Sequence, residues 1–172
     1  MTVLILVNGC GGAGKDTAGR GLLQAIESSA LLDIKALSMT NPWDFQDFEL
    51  GIQNAAALIL NYAAAGFSHI ILSGGVNSQE RLDALLARLP SGIQVCCFWL
   101  EVPKSVRDDR RVARRRDEAD KPQHLDAIDR VFTDPGTLRV PNGVWKRIPA
   151  ESLSPGEVVS TILKELQLLQ AG

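Results

Sequence analysis

Hydrophobic residues fall along this chain in two alternating rhythms. Short apolar runs occupy residues 3–7, 69–72 and 95–100, with a weaker one at 34–37 and a fifth, interrupted by charge, at 144–148. The runs at 3–7 and 95–100 are nearly continuous, the pattern of strands covered on both faces. Between the runs the spacing turns helical. Residues 17–26 place Leu22, Leu23 and Ile26 on one side, and 45–65 carry a stripe of Phe48, Ile52, Ala55, Ala56 and Ile59. Residues 81–89 offer Leu82, Leu85, Leu86 and Leu89 before Pro90 stops them. The last helix opens on Ser154 as N-cap, Pro155 at its first position and Glu157 closing a capping box, ahead of a Val158, Val159, Ile162, Leu163 and Leu166 stripe. Strands alternating with helices predict right-handed crossovers and a mainly parallel, five-stranded sheet between two helical layers. Ligands should then gather at the carboxyl ends of the strands.

The stretch 103–137 breaks this rhythm. It is charged, poor in large apolar residues and bounded by prolines, so it reads as a small lid over the sheet end rather than as core. A length of 172 residues suits a single domain spanning 1–172, lid included. The formal charge of -2 gives no basic coat for stable nucleic-acid binding, although a local basic site is compatible with it. Three cysteines, Cys10, Cys96 and Cys97, make no disulfide framework and have no metal-ligand spacing; His69 and His124 add no zinc pattern. The apolar run at 3–7 is too short for a membrane span or a leader, so the expectation is a cytoplasmic protein with no membrane partner.

The most specific signal is the stretch Val7-Asn8-Gly9-Cys10-Gly11-Gly12-Ala13-Gly14-Lys15-Asp16-Thr17. It follows the first buried strand, opens the first helix and carries the G-x-x-x-x-G-K spacing of a Walker A phosphate loop. Gly9, Gly11, Gly12 and Gly14, with Ala13, let successive N–H groups turn inward around an anion. The helix start adds its dipole, and Lys15 supplies a mobile charge for the terminal phosphates. Together these predict binding of a nucleoside triphosphate. The next position departs from the pattern, which calls for Ser or Thr to place a hydroxyl on Mg²⁺. Here Asp16 precedes Thr17. A carboxylate is a hard ligand for Mg²⁺ and repels phosphates without it, so strong metal dependence is expected. The alternative is that Asp16 only answers the helix dipole and Thr17 takes the metal.

On these residues the chain resembles the small P-loop kinases of the nucleoside-monophosphate-kinase-like group, which phosphorylate nucleotides, gluconate, shikimate and similar molecules. The Gly-Lys-Asp variant, over that loop alone, resembles phosphomevalonate kinases and some phage deoxynucleotide kinases. The resemblance implies a three-layer α/β/α P-loop fold, ATP and Mg²⁺ as cofactors, and a small-molecule acceptor for the γ-phosphoryl. It also implies lid arginines folded over the phosphoryl in flight. The candidates are Arg107, Arg110, Arg111, Arg114, Arg115 and Arg116, of which 107, 110, 111 and 114 share one helical face, with Arg110 and Arg114 as the expected catalytic pair. The competing reading is a solvated face relieved by Asp108, Asp109, Asp117, Glu118 and Asp120.

Two departures from the group stand out. The third strand ends in Ser73-Gly74-Gly75, where relatives usually have an acid that orients the metal; Asp16 is a candidate replacement. After a second strand placed at 34–37, no acid appears before Asp44, which becomes the candidate base, with Asp47 next and an N-cap role as the alternative. Trp43 and Phe45 would lie near the acceptor, Trp99 and Trp145 read as packing, and Cys10 reads as a small filler. These departures keep open a nucleotide-binding regulatory module without efficient transfer. A switch GTPase is weaker, since no Asn-Lys-x-Asp signature appears.

Overall fold

The computed structural model describes residues 2–41, 49–113, 126 and 129–170. Strands β1 (Val3–Asn8), β2 (Ser29–Asp33), β3 (His69–Ser73), β4 (Gln94–Glu101) and β5 (Gly143–Pro149) form one sheet in the order β2-β3-β1-β4-β5. All four pairings are parallel. The helices between them are α1 (Lys15–Ala25), α2 (Ile34–Leu37), α3 (Glu49–Ala64), α4 (Gln79–Leu86) and α5 (Lys104–Ala113), with α6 (Pro155–Gln170) closing the chain.

The near-continuous apolar character of β1 follows from its central place. Leu4 and Leu6 face α3 and α4, joining Ile52, Ala55, Ile59, Leu82 and Leu85 in one core. Val3, Ile5 and Val7 face α1 and α6, meeting Ala18, Leu22, Val158, Ile162 and Leu166 in the other. A strand with both faces buried has no reason to alternate. Leu23, expected beside Leu22, is exposed instead.

The capping box of α6 forms as its sequence predicts. The Ser154 N–H donates to Glu157 Oε2 at 2.7 Å, and the Glu157 N–H donates to Ser154 Oγ at 3.3 Å. Helix α4 begins before residue 81, because Ser78 caps it by accepting the Arg81 N–H at 3.2 Å. Gly66, at φ 90°, ends α3 in the left-handed conformation that a glycine adopts without steric cost. Trp99 and Trp145 pack together with ring centroids 6.4 Å apart.

The second strand corrects the sequence reading. Residues 34–37 are the short helix α2, and β2 lies just before them at Ser29–Asp33. The physical reason is local. Asp33 caps α2 by accepting the Lys35 N–H at 2.9 Å, which turns the chain out of the sheet. The apolar Ile34 that suggested a strand is buried instead against the turn at Gly75. As an edge strand, β2 alternates half-buried and buried positions and is only moderately apolar. Among the described residues, no helix is long and apolar enough to cross a membrane.

Candidate functional site

The carboxyl ends of β1, β2 and β3 meet the start of α1. The loop between β1 and α1 holds Gly9, Gly12 and Gly14 at φ 155°, 84° and 100°. Any side chain at Gly9 would bring its Cβ within 2.9 Å of the Ala13 Cβ and 3.0 Å of the Leu100 carbonyl. Gly14 stands at the N-cap of α1 and, having no side chain, offers no cap to the first-turn N–H groups. That arrangement suits an anion.

Lys15 is half-buried beside the Gly74 turn. Burial pulls its pKa down to about 8, against the opposing pull of Asp16; Lys35 lowers it further and Asp33 supports the charge. The lysine is therefore short of compensating negative charge, a deficit that phosphate would fill.

Two acids flank it. Asp16 accepts a hydrogen bond from the Ser73 hydroxyl at 2.8 Å. Asp33, the last residue of β2, is the register partner of Ser73 across the β2–β3 pairing. An acid therefore stands at the end of the second strand. The sequence reading passed over it by placing the strand at 34–37, after Asp33, and looking beyond Leu37. The available signal was the Asp33-x-Lys35 cap. Asp44 and Asp47, along with Trp43 and Phe45, lie outside the described residues. Thr17 is exposed and helps wall a cleft of about 140 Å³ together with Ala13, Gly14, Arg110, Leu153 and Pro155.

The arginines separate by partner. Arg107 and Arg111 are buried, at 6% and 7% exposure. Arg107 donates to the Gly11 carbonyl at 3.0 Å, to the Val102 carbonyl at 3.2 Å and to Asp129 Oδ1 at 2.9 Å. Arg111 donates to Asp129 Oδ1 at 2.7 Å and to Asp108 at 2.9 Å. Burial pushes the Asp129 carboxyl up, but the guanidinium groups of Arg111 and Arg107 outweigh it and hold the group below its ordinary value. A Cβ on Gly11 would lie 2.5 Å from Arg111 Nη2, so the backbone of the loop and the two arginines are in direct contact. Arg110 turns elsewhere, donating to the Ala150 and Glu151 carbonyls at 3.2 and 3.1 Å on the rim of the cleft. Arg114, Arg115 and Arg116 lie outside the described residues.

Further contacts, which spacing along the chain does not show, tie the site together. The buried Asn8 side chain accepts the Val76 N–H at 3.2 Å, fixing the Gly74–Gly75 turn to the end of β1. Arg81 donates to Asn77 Oδ1 at 2.8 Å, and Asn77 donates to the Val131 carbonyl at 3.0 Å. Burial lowers the Arg81 pKa, so a half-buried cation stands at the same end of the sheet. Cys10 donates from Sγ to the Phe132 carbonyl at 3.1 Å.

No family model and no curated protein matches the sequence. Its fold is that of solved P-loop kinases. An unliganded sugar kinase from Janibacter sp. HTCC2649 superposes with a TM-score of 0.72 at 18% identity, covering 97% of this chain and 95% of that one. A gluconokinase from Sinorhizobium meliloti 1021 gives 0.69 at 18% identity, covering 96% and 91%. The APS kinase of Mycobacterium tuberculosis, solved with AMPPNP and APS, gives 0.61 at 16% identity and 98% of each chain.

Proposed function

We propose that this chain is an ATP-dependent phosphotransferase that moves the γ-phosphoryl group of Mg·ATP to a hydroxyl or phosphate on a small molecule. The observation that carries this reading is the convergence of a charge-deficient Lys15 with two acids, Asp16 and Asp33, at the mouth of the glycine loop.

The roles follow from placement. The N–H groups of the loop and α1 would hold the β- and γ-phosphates, and Lys15 would neutralise their outer oxygens. The cleft walled by Thr17, Arg110, Leu153 and Pro155 adjoins that loop and would take the nucleoside. Asp16, with the Thr17 hydroxyl nearby in sequence, offers the hard oxygen donors that fit Mg²⁺. Bound there, Mg²⁺ supplies charge neutralisation between the phosphates. Asp33 stands where an acceptor hydroxyl could lose its proton. The acceptor oxygen bonds to the γ-phosphorus as the bond to the β–γ bridging oxygen breaks, the hydroxyl proton passes to Asp33, and ADP leaves. Arg110 and Arg114 remain the arginines that would swing over the phosphoryl group, Arg110 by exchanging its two carbonyl partners for an anion.

The reading of a regulatory module without transfer rested on two missing acids. Asp33 at the end of β2 supports transfer over that reading. Two of the structural neighbours are a sugar kinase and a gluconokinase, so sugars and sugar acids are the first acceptors to assay.

The test is calorimetric titration with ATP and GTP, with and without Mg²⁺, followed by phosphate transfer to a panel of sugars and sugar acids. Mg²⁺-dependent ATP binding that disappears in Lys15→Ala is the expected result. Asp33→Asn should bind ATP normally yet lose about 10²–10⁴-fold in kcat, the usual contribution of a general base. Binding without transfer to any acceptor would favour the regulatory module, and no binding of either nucleotide would end the kinase reading.

A further inference from the structure

Asp16 and Ser73 are 57 residues apart in the chain and in direct contact, the Ser73 hydroxyl donating to Asp16 Oδ1 at 2.8 Å. Both belong to the machinery around Lys15, and both are unusual there. The loop carries a carboxylate where a hydroxyl would suffice, and the strand end beside it carries a hydroxyl. We propose that Ser73 is the positioning residue for Asp16, and that the pair forms a transposed metal site. In it the loop supplies the one negative charge that holds Mg²⁺ against the nucleotide, and the strand supplies only its orientation. This inference rests on the phosphotransferase reading.

Three observations carry it. Asp16 follows Lys15 at the first turn of α1, where the phosphates of a bound nucleotide would lie. A carboxylate facing a polyanion at that range is repelled unless a divalent cation sits between them. Next, Ser73 is 2% exposed and closed in by its strand neighbours, with Val7 on one side and Asp33 on the other. Its hydroxyl has one proton to donate, and that proton goes to Asp16. A partner of this kind fixes the direction of a ligating carboxylate rather than ligating. Finally, the place admits one acid and not two. A carboxylate at position 73 would stand against Asp16 and beside Asp33, putting three like charges on neighbouring positions. Exchanging the two residues keeps both the charge and the hydrogen bond. Thr17, the rival metal ligand, lines the cleft beside the loop.

The experiment measures how much Mg²⁺ strengthens binding of a non-hydrolysable ATP analogue to the full chain, alongside Mn²⁺ binding followed by electron paramagnetic resonance. In the wild-type protein the enhancement is large. Asp16→Ser should lose most of it while binding the analogue more tightly without metal, because the repulsion is gone. Ser73→Ala should lower the enhancement about 10-fold, the scale of losing a partner that orients a ligand. Ser73→Thr, which keeps the hydroxyl, should restore the enhancement. The exchange Asp16→Ser with Ser73→Asp should recover both the enhancement and the Mn²⁺ signal. Melting curves identify any variant that does not fold, and the Ser73→Ala and Ser73→Thr pair decides the matter if the exchange is one of them. Full enhancement in Asp16→Ser, or none recovered by a folded exchange variant, overturns this inference alone. A wild-type chain that binds no nucleotide at all overturns the phosphotransferase reading, and this inference with it.

Discussion

The two flanks of the glycine loop handle charge in opposite ways. Behind the loop, Arg107, Asp129, Arg111 and Asp108 form a set in which each guanidinium has a carboxylate within 2.9 Å. In front, Lys15 is desolvated faster than its neighbours can compensate, and its pKa falls to about 8. The first flank is satisfied and serves as architecture. The second is left short of negative charge, so a phosphate ligand completes it. Sequence spacing would have put the arginines and the lysine in one phosphate-binding set, but burial and partners separate them.

The largest way to break this contrast is Asp129→Asn. It leaves two buried guanidinium groups facing an amide, at an expected cost of about 3–5 kcal/mol in stability, the range for breaking a buried pair on one side. Denaturant unfolding measures it, and a loss under about 1 kcal/mol, the surface-pair range, would mean the set is solvated after all.

Lys15→Met tests the opposite flank and should act with the opposite sign. Removing a charge the fold pays to desolvate should raise the stability of the ligand-free protein by about 1–2 kcal/mol, within the common range for a stabilising substitution, while abolishing nucleotide binding. An unchanged or lower melting temperature would show that Lys15 is well solvated.

The smallest effect is in pH. Because the folded Lys15 pKa lies below the unfolded one, the unfolded chain binds more protons between about pH 8 and the ordinary lysine value. Across that window the wild-type protein should gain stability with rising pH relative to Lys15→Met. Nucleotide affinity should fall over the same window, since phosphate prefers the protonated lysine. Titrations at pH 8 in buffers of different ionisation enthalpy should therefore register proton uptake on binding, and a result independent of buffer would contradict the shift.

How much of this was legible in the sequence depends on the range of the forces involved. The glycine loop, the central strands β1 and β4 and the capping box of α6 are local. A strand buried on both faces or a Ser-Pro-x-Glu start carries its own signature. Strand β2 is at the sheet edge, and its apolar content is diluted by the polar Ser29 and Asp33 at its ends. The more apolar residues after it drew the strand assignment, and Asp33 went unnoticed as a result. The arginine face was legible as a stripe, but its meaning was not. Arg107 and Arg111 turn toward Asp129, while Arg110 turns toward carbonyls 40 and 41 residues away. Asp16 and Ser73 were each visible as departures from a pattern, yet their contact depends on the β1–β3 pairing that brings the two strand ends together.

The contact between Cys10 and Phe132 gives the protein an intrinsic reporter. Cys96 and Cys97 are sealed within β4, with burial pushing their thiols up to about 11 and about 12, so alkylating reagents reach them only when the sheet opens. Cys10 is half-buried, its pKa also raised by burial, and its sulfur is shielded by the Phe132 carbonyl. Its alkylation rate should therefore depend on whether that contact is kept. A single maleimide time course, taken with and without nucleotide, reads the contact in the unmodified chain with no label introduced by mutation.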